Sequence, residues 1–203
     1  MDINLLTAAE TESLRSLILS SDNIILCCHR SPDGDALGSL LGMAEFLRQQ
    51  GKVPVAVVPD AYPDFLQWLP GTERIIRYDK HKSFVDGLLA SADLVFCLDF
   101  NTYSRTDDMA DALAASPAKK VLVDHHLNPD IDTELCVSHP EACSTCELVF
   151  RLIWQLGSFD MMTRKGAVPL YCGMMTDTGG FTYNSTRPEI FLHYKPAAYQ
   201  GHR

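Results

Sequence analysis

The feature that most constrains this chain is a repeated pairing of a short apolar run with a helical stretch. Runs at residues 23–28, 53–58, 94–98 and 120–123 are almost wholly apolar. A strand that buries one face alternates polar and apolar residues, whereas one covered on both faces is apolar throughout. Between and after these runs, residues 36–50, 81–90 and 107–115 read as helices. Uniformly apolar strands alternating with helices predict a doubly wound α/β fold, a mostly parallel sheet with helices on both faces. An amphipathic helix over 7–21 precedes the first strand, opened by a Thr7/Glu10 capping box and carrying Leu14, Leu17 and Ile18 at helical spacing. Gly51 stands where the 36–50 helix needs a left-handed cap, and Pro63 opens a short helix to residue 69 that Pro70-Gly71 breaks. Later helices are predicted over 147–156 and from about Thr163.

Composition narrows the partners. A length of 203 residues suits one medium domain with its own core, at 46% hydrophobic and 21% charged residues. No apolar run approaches the roughly 18 residues of a membrane span. The N-terminus, MDINLLTAAETESL, carries acids where a secretory signal carries Lys or Arg, so a cytoplasmic protein is expected. Seven cysteines are an odd number, and Cys27, Cys28, Cys97 and Cys172 sit in apolar runs, where free Cys acts as a small hydrophobe. A net charge of −9 argues against long duplex nucleic acid as a partner, because gripping many phosphates needs a basic surface. A small phosphorylated substrate stays open if metal ions supply the positive charge. A homodimer stays open too.

Polar residues gather where the strands stop. The first run leads into His29, Asp33 and Asp35; the third ends at Asp99; the fourth ends at Asp124, His125 and His126; and Asp177 follows the last helical stretch. Open parallel sheets bind ligands beyond the carboxyl ends of their strands, so these side chains should converge. Gathered carboxylates repel one another and raise each other's pKa unless cations hold them. Asp33, Asp35, Asp99 and Asp177 sum to −4, which two divalent cations balance, with His29 and His125 as neutral ligands. Mixed carboxylate and imidazole ligands suit Mn²⁺ first, with Mg²⁺, Co²⁺ or Zn²⁺ as alternatives.

These residues resemble the DHH family of phosphoesterases. Its signatures stand as HRSPDGDALGS at 29–39, LDFN at 98–101, VDHH at 123–126 and MMTDTGG at 174–180. The resemblance implies one metal on His29, Asp33 and Asp99, and a second on Asp35, Asp99, His125 and Asp177, with Asp99 bridging. It implies hydrolysis of phosphoester bonds by a water that the two ions activate. His126 resembles the family's phosphate-contacting histidine, with a core histidine as its plain alternative. Arg105 resembles the basic residue of the oligoribonuclease/pAp-phosphatase branch, with a solvated loop arginine as its alternative. The expected substrates are short oligoribonucleotides or small phosphonucleotides such as pAp (3′-phosphoadenosine 5′-phosphate). An exopolyphosphatase-like or pyrophosphatase-like hydrolase, and a catalytically silent metal- or nucleotide-binding fragment, stand as alternatives.

Asp124 is expected to orient a ligating histidine. In CSTCE at 143–147, Ser144 and Glu147 form a capping box, the simpler explanation of a stretch that also resembles the same branch. Cys136, His139, Cys143 and Cys146 follow a C-x₂-H-x₃-C-x₂-C spacing that offers a competing zinc site, and the CxxC a competing redox pair. Family members continue into a second, substrate-binding domain. The expectation here is a DHH domain over 1–190, an atypical tail over 191–203 and no second domain. Just before the tail, Thr186, Pro188 and Glu189 announce a helix that Pro196 and Gly201 interrupt.

Overall fold

The computed structural model describes residues 4–183. Six strands form one sheet: β1 (Ile24–Cys27), β2 (Val55–Val58), β3 (Ile76–Arg77), β4 (Leu94–Leu98), β5 (Lys119–Asp124) and β6 (Leu135–Ser138). Their order is β3-β2-β1-β4-β5-β6, and every neighbouring pair is parallel. Six α-helices accompany them: α1 (Ala8–Ser20), α2 (Gly34–Gln49), α3 (Tyr78–Ala90), α4 (Ala110–Ala115), α5 (Thr145–Gln155) and α6 (Arg164–Asp177).

The two-sided burial that the apolar runs demanded is present. Leu26, Phe96 and Val121 meet Leu14, Leu37, Phe150 and Leu170 from α1, α2, α5 and α6. Their strand neighbours Ile25, Val95 and Leu122 point the other way, into a core with Val85, Leu89 and Leu113 of α3 and α4. This is the period-two alternation of a strand with both faces in demand. The chain moves from β1 outward to β2 and β3, then returns to lay β4 on the other side of β1. The strand order therefore reverses between β1 and β4, and such a switch point opens a crevice at their carboxyl ends.

Several boundaries differ from the sequence reading. Helix α2 begins at Gly34 rather than residue 36, because Asp33 accepts the N–H groups of Asp35 and Ala36 and so caps it. The strand expected from residue 53 starts at Val55, since Pro54 lacks a ladder donor and Val53 is solvent-exposed. The helix expected over 107–115 is a 3₁₀ stretch, Tyr103–Met109, followed by α4; Asp107 breaks it with φ of 53°. Helix α3 starts at Tyr78, not residue 81, with a kink at His81. Strands β3 and β6, both at sheet edges, were not predicted.

Helices α2 and α6 pack closely on a strip of α2 that carries Gly34, Gly38 and Gly42. A Cβ on Gly38 would lie 2.5 Å from the Pro169 carbonyl oxygen and 2.7 Å from Cys146 Sγ. That approach brings the C-terminal end of α6, and Asp177 with it, beside the start of α2. The residues around Thr186, Pro188 and Glu189, and the 190/191 boundary, lie outside the described residues.

Candidate metal centre

Each acidic or histidine side chain reaches the crevice by a local device. His29 stands two residues beyond β1, and its Nδ1 lies 2.6 Å from the Arg30 carbonyl oxygen. A carbonyl only accepts, so Nδ1 carries the proton and Nε2 presents a lone pair. Next, Ser31 turns the chain with φ of 49°, and its N–H donates to Asp60 Oδ1 at 2.6 Å. Asp33 then caps α2, which aims Asp35 inward. The buried Asp35 carboxylate accepts the N–H groups of Thr145 at 2.7 Å and Cys146 at 2.8 Å, in the first turn of α5. A helix N-terminus stabilises a carboxylate there through its unpaired N–H groups and dipole.

Asp99 follows β4 with φ of 64°, a left-handed conformation that costs a non-glycine residue energy and tends to occur at functional sites. Its carboxylate faces both ways. Oδ2 lies 3.5 Å from His29 Nε2, while Oδ1 lies 3.7 Å from His125 Nε2. Oδ1 also accepts the Thr145 hydroxyl at 2.9 Å. His29 Nε2 stands 3.8 Å from Asp33, and His125 Nε2 stands 3.9 Å from Asp35 and 3.5 Å from Asp177. All six sequence-predicted ligands thus fall into two groups capable of holding an ion, His29–Asp33–Asp99 and Asp35–His125–Asp177, with Asp99 in contact with both; a third such group, Asp99–His125–His126, overlaps them and includes the second histidine of the pair.

The donor set fits divalent cations. The groups present carboxylate oxygens and imidazole nitrogens to one another. Burial first, then the charges of Asp99 and Asp177, push the Asp35 carboxyl well above its ordinary range. Burial and Asp33 push Asp99 well up, against the Thr145 hydrogen bond. Burial raises Asp177, against the pull of His125. Cations reverse that bias by favouring the charged forms.

Buried Asp124 receives the His126 N–H at 3.1 Å and lies 2.7 Å from His126 Nδ1. The histidine it orients is therefore the second of the pair; His125 Nδ1 instead approaches the Ala142 carbonyl at 3.4 Å. His126 is about one-third exposed in its side chain, with Nδ1 at 3.8 Å from Asp99, so it is not a core histidine. The Arg105 carbonyl accepts the Arg30 N–H at 2.7 Å, tying its loop to the segment just after His29.

The competing zinc spacing does not close. Cys136 is exposed on β6, His139 pairs with Glu141, and Cys146 donates to the Asp35 carbonyl. All seven cysteines are free. Ser144 does cap α5 by accepting the Glu147 N–H, but the Glu147 carboxylate takes the N–H of Cys143 rather than that of Ser144, so the box is offset by one residue. Two residues of the site escaped the sequence reading. Asp60 ends β2 as the other acids end their strands, so the same rule could have found it. Thr145 lies in the CSTCE stretch already singled out, but nothing in its spacing points to Asp35 or Asp99.

The family model for the DHH family, N-terminal domain, matches residues 23–174. The chain belongs to the DHH family. The bifunctional oligoribonuclease and PAP phosphatase NrnA of Thermus thermophilus is 34% identical over 170 residues, covering 82% of this chain and 47% of that protein. Its namesake in Bacillus subtilis is 30% identical over 185 residues, covering 87% of this chain and 52% of that one. This DHH chain thus spans about half the length of the curated relatives it matches. The crystal structure of an exopolyphosphatase-related protein from Bacteroides fragilis superposes with a TM-score of 0.94 at 45% identity, over 98% of this chain and 59% of that one. In the DHH chain no helix among the described residues is long and apolar enough to cross a membrane.

Proposed function

We propose that this chain carries the two-metal centre of a phosphoesterase that hydrolyses short oligoribonucleotides or small phosphonucleotides such as pAp. The observation that supports it most is Asp99, whose two oxygens face different histidines 3.5 and 3.7 Å away. His29, Asp33 and Asp99 would hold one divalent ion; Asp35, Asp99, His125 and Asp177 would hold the other. When bound, such ions make a nucleophile of water at neutral pH and offset the charge of a phosphoryl group. Mn²⁺ is the preferred occupant on the chemistry of the ligands.

The chain's own residues supply the rest. Carbonyl contacts at Nδ1 leave His29 and His125 to bind through Nε2. Asp124 accepts from His126 Nδ1, and Nε2 would donate to a phosphoryl oxygen when it carries a proton as well. Arg105, on a loop anchored to Arg30, stands as the cation for a further phosphate. The names of the NrnA relatives favour oligoribonucleotide and pAp as substrates. The exopolyphosphatase-related neighbour keeps an inorganic polyphosphate or pyrophosphate as the second reading.

The test is hydrolysis of a phosphodiester reporter by the chain with Mn²⁺, then of pAp, a dinucleotide and pyrophosphate. Turnover of pAp or dinucleotide that Asp99→Ala abolishes supports the proposal. Turnover confined to pyrophosphate moves the assignment to the second reading, and tight Mn²⁺ binding without turnover of any of them identifies a silent binding module.

A further inference from the structure

Thr145 opens α5 directly after its N-cap, so the helix does not need its hydroxyl: Ser144 already accepts the Glu147 N–H at 3.1 Å. The hydroxyl goes instead to Asp99 Oδ1 at 2.9 Å, while the same residue's N–H goes to Asp35 Oδ2 at 2.7 Å. One fully buried residue therefore grips a carboxylate from each ligand group. Both grips are rigid. The N–H belongs to the first turn of a helix of 11 residues, and a β-branched threonine has few χ1 choices.

The Asp99 carboxylate needs such a grip. Its last torsion is broad and nearly two-fold, so rotation would move Oδ1 and Oδ2 away from the directions of His125 and His29. From this geometry we infer that Thr145 is a positioning residue, holding Asp99 in the orientation that shares one carboxylate between two ions. The inference rests on the reading of the two acid–histidine groups as metal sites. Thr145 is fully buried behind the carboxylates and acts through Asp99, as partners behind metal ligands commonly do.

Thr145→Val replaces the hydroxyl by a methyl of similar shape, and Thr145→Ser restores the hydroxyl. Binding of Mn²⁺ by each chain is measured by calorimetry, alongside the electron paramagnetic resonance signature of coupled Mn²⁺ pairs and the melting temperature without metal. Thr145→Val is expected to weaken binding by about 10–100-fold and to lose the coupled signature, with Thr145→Ser recovering most of both. Thr145→Ala repeats the test if the valine variant does not fold. Wild-type binding and a coupled signature in a chain lacking the hydroxyl overturn the inference alone, as does an equal loss in Thr145→Ser. A lowered metal-free melting temperature with unchanged affinity makes the residue merely structural and overturns it as well. A wild-type chain that binds no Mn²⁺ overturns the metal-site reading, and the inference with it.

Discussion

Asp99 combines three unfavourable conditions in the metal-free chain: a left-handed backbone, almost complete burial, and acidic neighbours that push its carboxyl up. A raised folded-state pKa means that the native state binds its proton more tightly than the unfolded chain. The associated stability is fully present below the unfolded value of about 3.9 and is lost as pH rises through the folded value. Asn tolerates positive φ, accepts the Thr145 hydroxyl and carries no charge. Asp99→Asn should therefore be more stable than wild type in chelator at pH 7 to 8, by on the order of 1 kcal/mol, with the gain fading towards pH 4, while phosphodiester turnover is lost. Thermal melts across that pH range check it; equal stability at pH 8 would count against a strained, charged Asp99. At this scale most ligand-type residues were legible because they follow apolar runs, where a sheet presents its ligands; Asp177, at the end of α6, stood out only within MMTDTGG. Thr145 was not, since its partner Asp99 lies 46 positions away and only tertiary packing joins them.

At the scale of elements, close helix packing and cap chemistry position the centre. Gly38 faces the Pro169 carbonyl and Cys146 within van der Waals exclusion, whereas Gly87 in α3 has nothing near the position of a Cβ. The same substitution should then act with opposite sign. Gly38→Ala is expected to cost about 1–3 kcal/mol, to part α2 from α6, and to weaken metal binding through displaced Asp177. Gly87→Ala should add about 0.5–1 kcal/mol and leave metal binding unchanged. Denaturant unfolding of the two variants decides it, and a neutral Gly38→Ala would show that the helices have room to adjust. The central strands were readable from their unbroken apolar runs. The edge strands were not: β3 is two residues long and half-buried, and β6 alternates, with Leu135 and Val137 buried but Cys136 exposed. The starts of α2 and α5 were placed two residues late, at 36 and 147, although Ser144 was read as a cap; Gly34 and Thr145 are made helical by the caps that precede them.

For the whole molecule, the proposed ligands from α2, α6 and the ends of β1, β4 and β5 would make metal binding and folding one equilibrium. A ligand at about 100 times its Kd stabilises a fold by about 2.7 kcal/mol. For a chain of this size that corresponds to a rise in Tm of roughly 5–10 °C, expected on adding Mn²⁺ to the chelated protein and reversed by chelator. No shift in a scanning melt would mean that the ions do not bridge these elements. The α/β class followed from the alternation of elements, since parallel strands need long crossovers. The all-parallel pairing of six strands was less visible, because the β5–β6 connection contains no helix.

The joining of α6 to α2 also bears on synthesis. His29, Asp33 and Asp99 have all left the ribosome once residue 99 has emerged, but the other group waits for Asp177, at the far end of α6. Because Asp99 is itself held by Val123 of β5 and Thr145 of α5, the proposed first ion position would also wait for those elements, so both positions would be completed late in translation rather than one at a time.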